Sequence, residues 1–131
     1  MNITPAIYDI LRNDPTVKSY VGDRIYPKQI PQGVVYPAIT QDIESSEYVQ
    51  SKDNTSSTAL RATILLTIFF EKFSDGKAVA DQTRALLDRY SGSIAGINIQ
   101  RAYFENQQDN EFIDELETHV ITQRYYIRAY S

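Results

Sequence analysis

Val21-Gly22-Asp23-Arg24-Ile25-Tyr26-Pro27, followed after a short loop by Tyr36-Pro37-Ala38-Ile39, is where the chain must leave helix and enter sheet. Gly22 can take the left-handed conformation that ends a helix without a Cβ clash. Pro27, Pro31 and Pro37 then fix φ and remove backbone donors, which denies the segment any return to helix. The order predicts a helix stop, a tight crossing and the first strand of a sheet.

Upstream, two short helices share one grammar. Thr4-Pro5 offers a capping hydroxyl and a proline at the first helical position, with Ile3 and Tyr8 set for a hydrophobic staple. Ile3, Ile7, Ile10 and Leu11 then fall on one face. Asn13-Asp14-Pro15 repeats the pattern with Asp14 as cap, Val17 and Val21 on one side and Gly22 as the stop.

Downstream, Ala38 to Val49 alternates loosely and turns polar toward its end, which predicts a strand. Residues 51–58 carry no apolar side chain, cannot bury themselves, and predict a mobile loop. Ala59 to Lys72 is the clearest strand: Leu60, Ala62, Ile64, Leu66, Ile68 and Phe70 form one face. A helix follows from Ser74 to about Tyr90, with Val79, Thr83, Leu86, Leu87 and Tyr90 inward and Lys77, Asp81, Arg84 and Asp88 toward solvent. Gly92 stops it. A strand is expected over 97–104, an acidic loop over 105–117, and a last strand over 117–130, long enough to need a bend or bulge. The fold class predicted is α+β: a mainly antiparallel four-stranded sheet with helices packed on one face, forming a single domain over residues 1–131.

Bulk composition agrees with one core. At 131 residues the chain is too short for two ordinary domains, and 42% hydrophobic with 23% charged residues favours neither disorder nor a membrane class. The longest apolar run, Ile64-Leu65-Leu66, is broken by Thr67, and the start lacks the basic and apolar regions of a secretion signal. Cytosolic synthesis is the expectation, with no membrane partner. Absence of cysteine removes disulfides, thiolate nucleophiles and sulfur-ligated metals. A net charge of -4, with no Lys/Arg run longer than one residue, predicts that any contact with DNA is repulsive or brief. Ten tyrosines and no tryptophan suit a subunit interface, or equally a tyrosine-rich antiparallel sheet.

The residues do not assemble a catalytic pattern. His119 is the single histidine, and no Gly-x-Ser-x-Gly accompanies it. Ser91-Gly92-Ser93-Ile94-Ala95-Gly96 reads as a helix cap and connector. Glu105, Asp109, Glu111, Asp114, Glu115 and Glu117 lack the alternating ligand positions and central glycine of a calcium loop, so a solvated acidic loop is the plainer reading. A metal-dependent enzyme using Asp109 and Glu111 has no ligand spacing in its favour. Neither cofactor nor metal is expected, and the chain reads as non-enzymatic.

The reverse side of the sheet is the remaining signal. Thr63, Leu65, Thr67 and Phe69, with Val120, Tyr126 and Tyr130 in the last strand, would face away from helices that cover one side only. Monomers seldom leave a large apolar patch bare, so a partner should cover it, unless the N-terminal helices wrap over it and make it core.

The opening segment resembles the tail-completion proteins of long-tailed bacteriophages, also called tail terminators or tail-to-head joining proteins. The resemblance rests on the alternating apolar first helix, the valine-bearing second helix ending in Gly22-x-Arg24-Ile25-Tyr26, and the Pro27 to Pro37 lead into the sheet, so Gly22, Arg24, Ile25, Tyr26, Pro27 and Pro37 are its structural motif residues. It implies a virion protein, made in the bacterial host cytoplasm, that forms a ring, generally a hexamer, at the head-proximal end of the tail. It further implies contact with the tail tube protein and the head-tail connector, and a channel through which DNA passes without specific binding. The expected interface residues are Leu65, Phe69 and Tyr126 on the sheet, with Tyr48, Lys52, Asp53 and Asn54 at the polar loop. A small adaptor domain that binds a protein partner through the same exposed sheet is the alternative.

Overall fold

Helix α1 (Thr4–Arg12) opens the computed structural model, which describes residues 2–50, 58–113 and 118–130. Thr4 is already helical, so its hydroxyl does not cap. Ile3 holds the cap position without a side-chain bond, and Asn2 Oδ1 accepts the Thr4 N–H at 3.0 Å instead. Helix α2 (Pro15–Val21) follows the predicted grammar: Asp14 accepts the Val17 N–H at 2.9 Å, and Gly22 closes the helix at φ 57°. Arg12 Nε meets Asp23 at 3.0 Å and ties the end of α1 to the segment after α2; this hydrogen bond and the carboxylate charge raise the guanidinium pKa.

The strands are β1 (Ile25–Pro27), β2 (Ala38–Gln50), β3 (Thr58–Phe70), β4 (Gly92–Ile94), β5 (Ile97–Ile113) and β6 (Thr118–Tyr130), with α3 (Phe73–Leu87) between β3 and β4. They form a six-stranded sheet in the order β1-β2-β3-β6-β5-β4, with β1 parallel to β2 and every other pair antiparallel. Thus the α+β class holds, and the expectation of four strands is corrected to six. The added strands are three-residue edges, too short to show a period of two. Helix α1 touches both of these edges, so the sheet curls around the helical layer.

Two boundaries differ for visible reasons. Helix α3 ends at Leu87 rather than Tyr90, because the Asp88 carboxylate accepts the Phe104 N–H at 3.0 Å while Arg89 and Tyr90 exchange backbone bonds with Ala102. Pairing with β5 wins over the last turn. The segment expected as an acidic loop is, over residues 105–113, a continuation of β5. Bulges in β5 between Ile99 and Arg101, Phe104 and Asn106, and Gln108 and Glu111 let it follow β6, whose pairing with β3 has no shift. The irregularity predicted for the last strand therefore sits in its partner. The expected mobile loop lies outside the described residues apart from Thr58, which starts β3.

One core lies between the helices and one face of the sheet. Ile3 at the cap of α1, Ile7 and Leu11 of α1, Val17 and Val21 of α2, and Val79, Ala80 and Leu87 of α3 pack on the Leu60 to Phe70 row of β3 and on Ile121, Tyr125 and Ile127 of β6. Within it sits a polar clamp. Gln123, fully buried, donates to the Ala80 carbonyl at 2.8 Å and to Gln107 Oε1 at 2.8 Å, while its own carbonyl oxygen accepts from Thr83 at 2.7 Å and Tyr125 at 2.8 Å. Each buried polar side-chain atom among the described residues is satisfied, so the network links α3 to β5 and β6 without a desolvation penalty left open.

Candidate functional site

The motif at the helix-to-sheet crossing is a structural clamp. Arg24 donates from Nη2 to the Tyr20 carbonyl at 2.9 Å and from Nε to the Pro37 carbonyl at 3.1 Å, and the Ile39 N–H donates to the Arg24 carbonyl at 2.9 Å. The end of α2 and the start of β2 are thereby held to one residue. Ile25 is buried, and Tyr26 and Pro27 continue β1 in register with Thr40 and Gln41. Pro37 follows a cis peptide.

All three helices lie on the core face, so the opposite face of the sheet is not roofed by them. Three registered rows run across it: Thr63, Tyr126 and Tyr103; Leu65 and Arg124 with Asn106; and Thr67, Thr122 and Gln108. Leu65 and Tyr126 are half-buried, and the Tyr103 and Tyr126 ring centroids stand 6.4 Å apart. A depression of about 320 Å³ lies between Leu65, Gln108, Thr122 and Arg124. A second, about 170 Å³, lies between Glu47, Arg61, Thr63 and Tyr126.

Phe69 departs from the expectation that it stands bare. It is 7% exposed, stacked with Tyr36 at 6.5 Å between ring centroids, and opposite Val120, which is 1% exposed. The cover comes from the β1–β2 connector, not from the N-terminal helices. At this end the reverse side is closed, and at its middle it is a narrow apolar band among polar groups. Tyr130 remains exposed at the opposite end. Tyr48 is exposed too, but its register opposite Leu60 places it on the helix side of the sheet. Lys52, Asp53 and Asn54 lie outside the described residues.

Charge on this face is laid out by register. Glu44 binds Arg124 through two bonds of 2.9 Å, and Glu47 lies 3.7 Å from Arg61. Arg61, Arg128 and Arg101 are directly opposite one another across β3, β6 and β5. Sequence reading missed this row, because the three arginines are far apart in the chain and only strand pairing aligns them. His119 sits exposed between the rings of Phe70 and Phe112, at 5.8 and 5.0 Å. No group of three or more metal-binding side chains occurs among the described residues, and no helix there is long and apolar enough to cross a membrane.

A family model described as tail completion protein gp17 matches residues 5–130. Among solved structures, a chain of "Virion of native gene transfer agent (GTA) particle" is similar, with a TM-score of 0.70 over 99% of this chain and 100% of that one. Its 14% sequence identity makes that a likeness of fold. No curated protein matches in sequence.

Proposed function

The chain belongs to the tail completion protein gp17 family, a structural class of phage tail proteins, and from that premise we propose that it closes the head-proximal end of a tail tube as an oligomeric ring and joins it to the head connector. The observation that carries this reading is the sheet face left free by the helices, with Leu65, Tyr126 and Tyr103 on adjacent strands of it. A ring places one such face of every copy against the next, or against the tube, and removes its apolar band from water. Six copies are the expected number. The net charge of -4 per copy suits a passage that DNA crosses without adhering, since like charge opposes binding. The protein acts by assembly rather than catalysis.

Tail tubes assembled without this protein provide the test. Adding the pure protein should place a ring at one end of each tube, seen by electron microscopy, and should restore joining to filled heads. Leu65→Asp should remain folded and leave tube ends open. Bare tube ends with the native protein, together with a fixed one-to-one complex with a host protein, would establish the adaptor reading instead.

A further inference from the structure

We infer that successive copies join head to tail, the acidic outer stretch of β5 on one copy docking against the arginine row of the next. This rests on the ring reading and specifies its contact. Arg61, Arg128 and Arg101 stand side by side on neighbouring strands, and like charges directly opposite in a sheet oppose its stability. Glu47 approaches Arg61, while Arg101 lies over the Tyr103 ring at 5.8 Å. Among the described residues neither Arg101 nor Arg128 pairs with a carboxylate. Arg101 and Arg128 lack anions that a partner would supply.

The complement is in the same chain. Between Arg101 and Arg124 there is no lysine or arginine, while Glu105, Asp109, Glu111, Asp114, Glu115 and Glu117 all fall there. Those carboxylates outweigh the net charge of -4, so the rest of the chain is cationic. Asp109 is exposed at a bulge, and Glu111 is level with Val120. Along β6 that is about 26 Å from Arg128 at ordinary strand rise, too far for Glu111 to meet the arginine row of its own copy. Strand β4 pairs with β5 only from Ile97 to Ile99, which leaves that edge of β5 from Gln100 to Ile113 uncovered by β4. Opposite charges at opposite ends of one sheet give a heterologous contact, the kind that closes rings. DNA is a poorer occupant: three strands span only about 10 Å, and so short a row neutralises few phosphates.

The test uses the full chain in sedimentation velocity over a concentration series, at low and high salt, alone and with tail tubes. Two variants are compared with the native protein, Arg101→Glu/Arg128→Glu and Asp109→Lys/Glu111→Lys, each checked for native circular dichroism; glutamine replaces glutamate in the first should it misfold. Each variant alone should associate about ten-fold more weakly or worse, and their equimolar mixture should recover association, because the reversed charges match across copies. Salt should weaken the native contact. Native-like association by both variants overturns this docking and leaves the ring intact. No association of the native protein, even with tubes, removes the ring and this contact together. Binding of a DNA duplex that is lost in the arginine variant, with self-association unchanged, assigns the row to phosphate instead.

Discussion

Gly76 in the first turn of α3 lies against the ring of Phe70 so closely that a Cβ at Gly76 would come within 2.4 Å of two ring carbons. Phe70 is 1% exposed and is flanked by Phe73 and His119, so its ring has little room to yield. Alanine in place of Gly76 gains about 1 kcal/mol of helix propensity. Overpacking against an immobile ring costs about 1–3 kcal/mol, so the net effect of Gly76→Ala is destabilising. A lower urea midpoint with an unchanged slope is the expected result, and a raised midpoint would show that the ring moves aside.

Arg24 holds two carbonyls that belong to different elements, those of Tyr20 and Pro37. Alanine there removes both charge-assisted bonds and leaves the carbonyls short of a donor, at a cost of about 2–3 kcal/mol. Lysine keeps the charge but cannot present the two-pronged donor, so Arg24→Lys should recover less than half of that loss. Denaturant titration measures both. Equal stability of the lysine variant and the native chain would show that charge alone suffices.

Much of this architecture was legible because single residues with one conformational role punctuate it. Asp14, Pro15 and Gly22 mark α2 from sequence, and the strict alternation from Leu60 to Phe70 gives β3 and its core face. What stayed hidden was carried by pairing partners. Residues 105–111 are polar and acidic, poor strand formers on their own, and they extend only because β6 offers a ladder and bulges absorb the mismatch. Leu65 and Tyr126 are placed on one face by alternation alone, whereas Phe69 is covered by Tyr36, contributed by an irregular connector with no period to read. The arginine row is a property of register and exists in no single segment.

Tyr125 links stability to alkaline pH. Its hydroxyl is buried in the core and donates to Gln123 Oε1, and burial pushes its pKa well above the ordinary value near 10. The neutral form is therefore favoured in the folded state. Stability from this group is fully present below about pH 10, where both states hold the proton. Above that the unfolded chain ionises first and binds fewer protons than the folded one, so stability falls by about 1.4 kcal/mol per pH unit until the folded-state pKa is reached. Urea midpoints from pH 8 to 11 should drop more steeply for the native chain than for Tyr125→Phe. The phenylalanine variant should itself be about 1 kcal/mol weaker at pH 8, through the lost hydrogen bond. Parallel pH profiles would mean that the phenol ionises freely in the fold.

Leu65 and Phe69 lie on the same side of β3, two rows apart, yet they should respond oppositely to a charge. Leu65 is half-buried between Arg124 on β6 and Asp42 on β2, so an aspartate there meets water, a cation on one side and a like charge on the other, and the monomer should keep its stability within about 1 kcal/mol. Phe69 is enclosed by Tyr36, Val120 and Ala38. Phe69→Asp deletes the ring contact and buries a carboxylate that no cation among its registered neighbours faces, a loss of about 3–5 kcal/mol or more. Thermal unfolding followed by circular dichroism separates the two: Leu65→Asp should melt near the native temperature, and Phe69→Asp should melt far below it or fail to fold. A folded, native-like Phe69→Asp monomer would mean that the β1–β2 connector opens readily and that this end of the sheet is available to a partner after all.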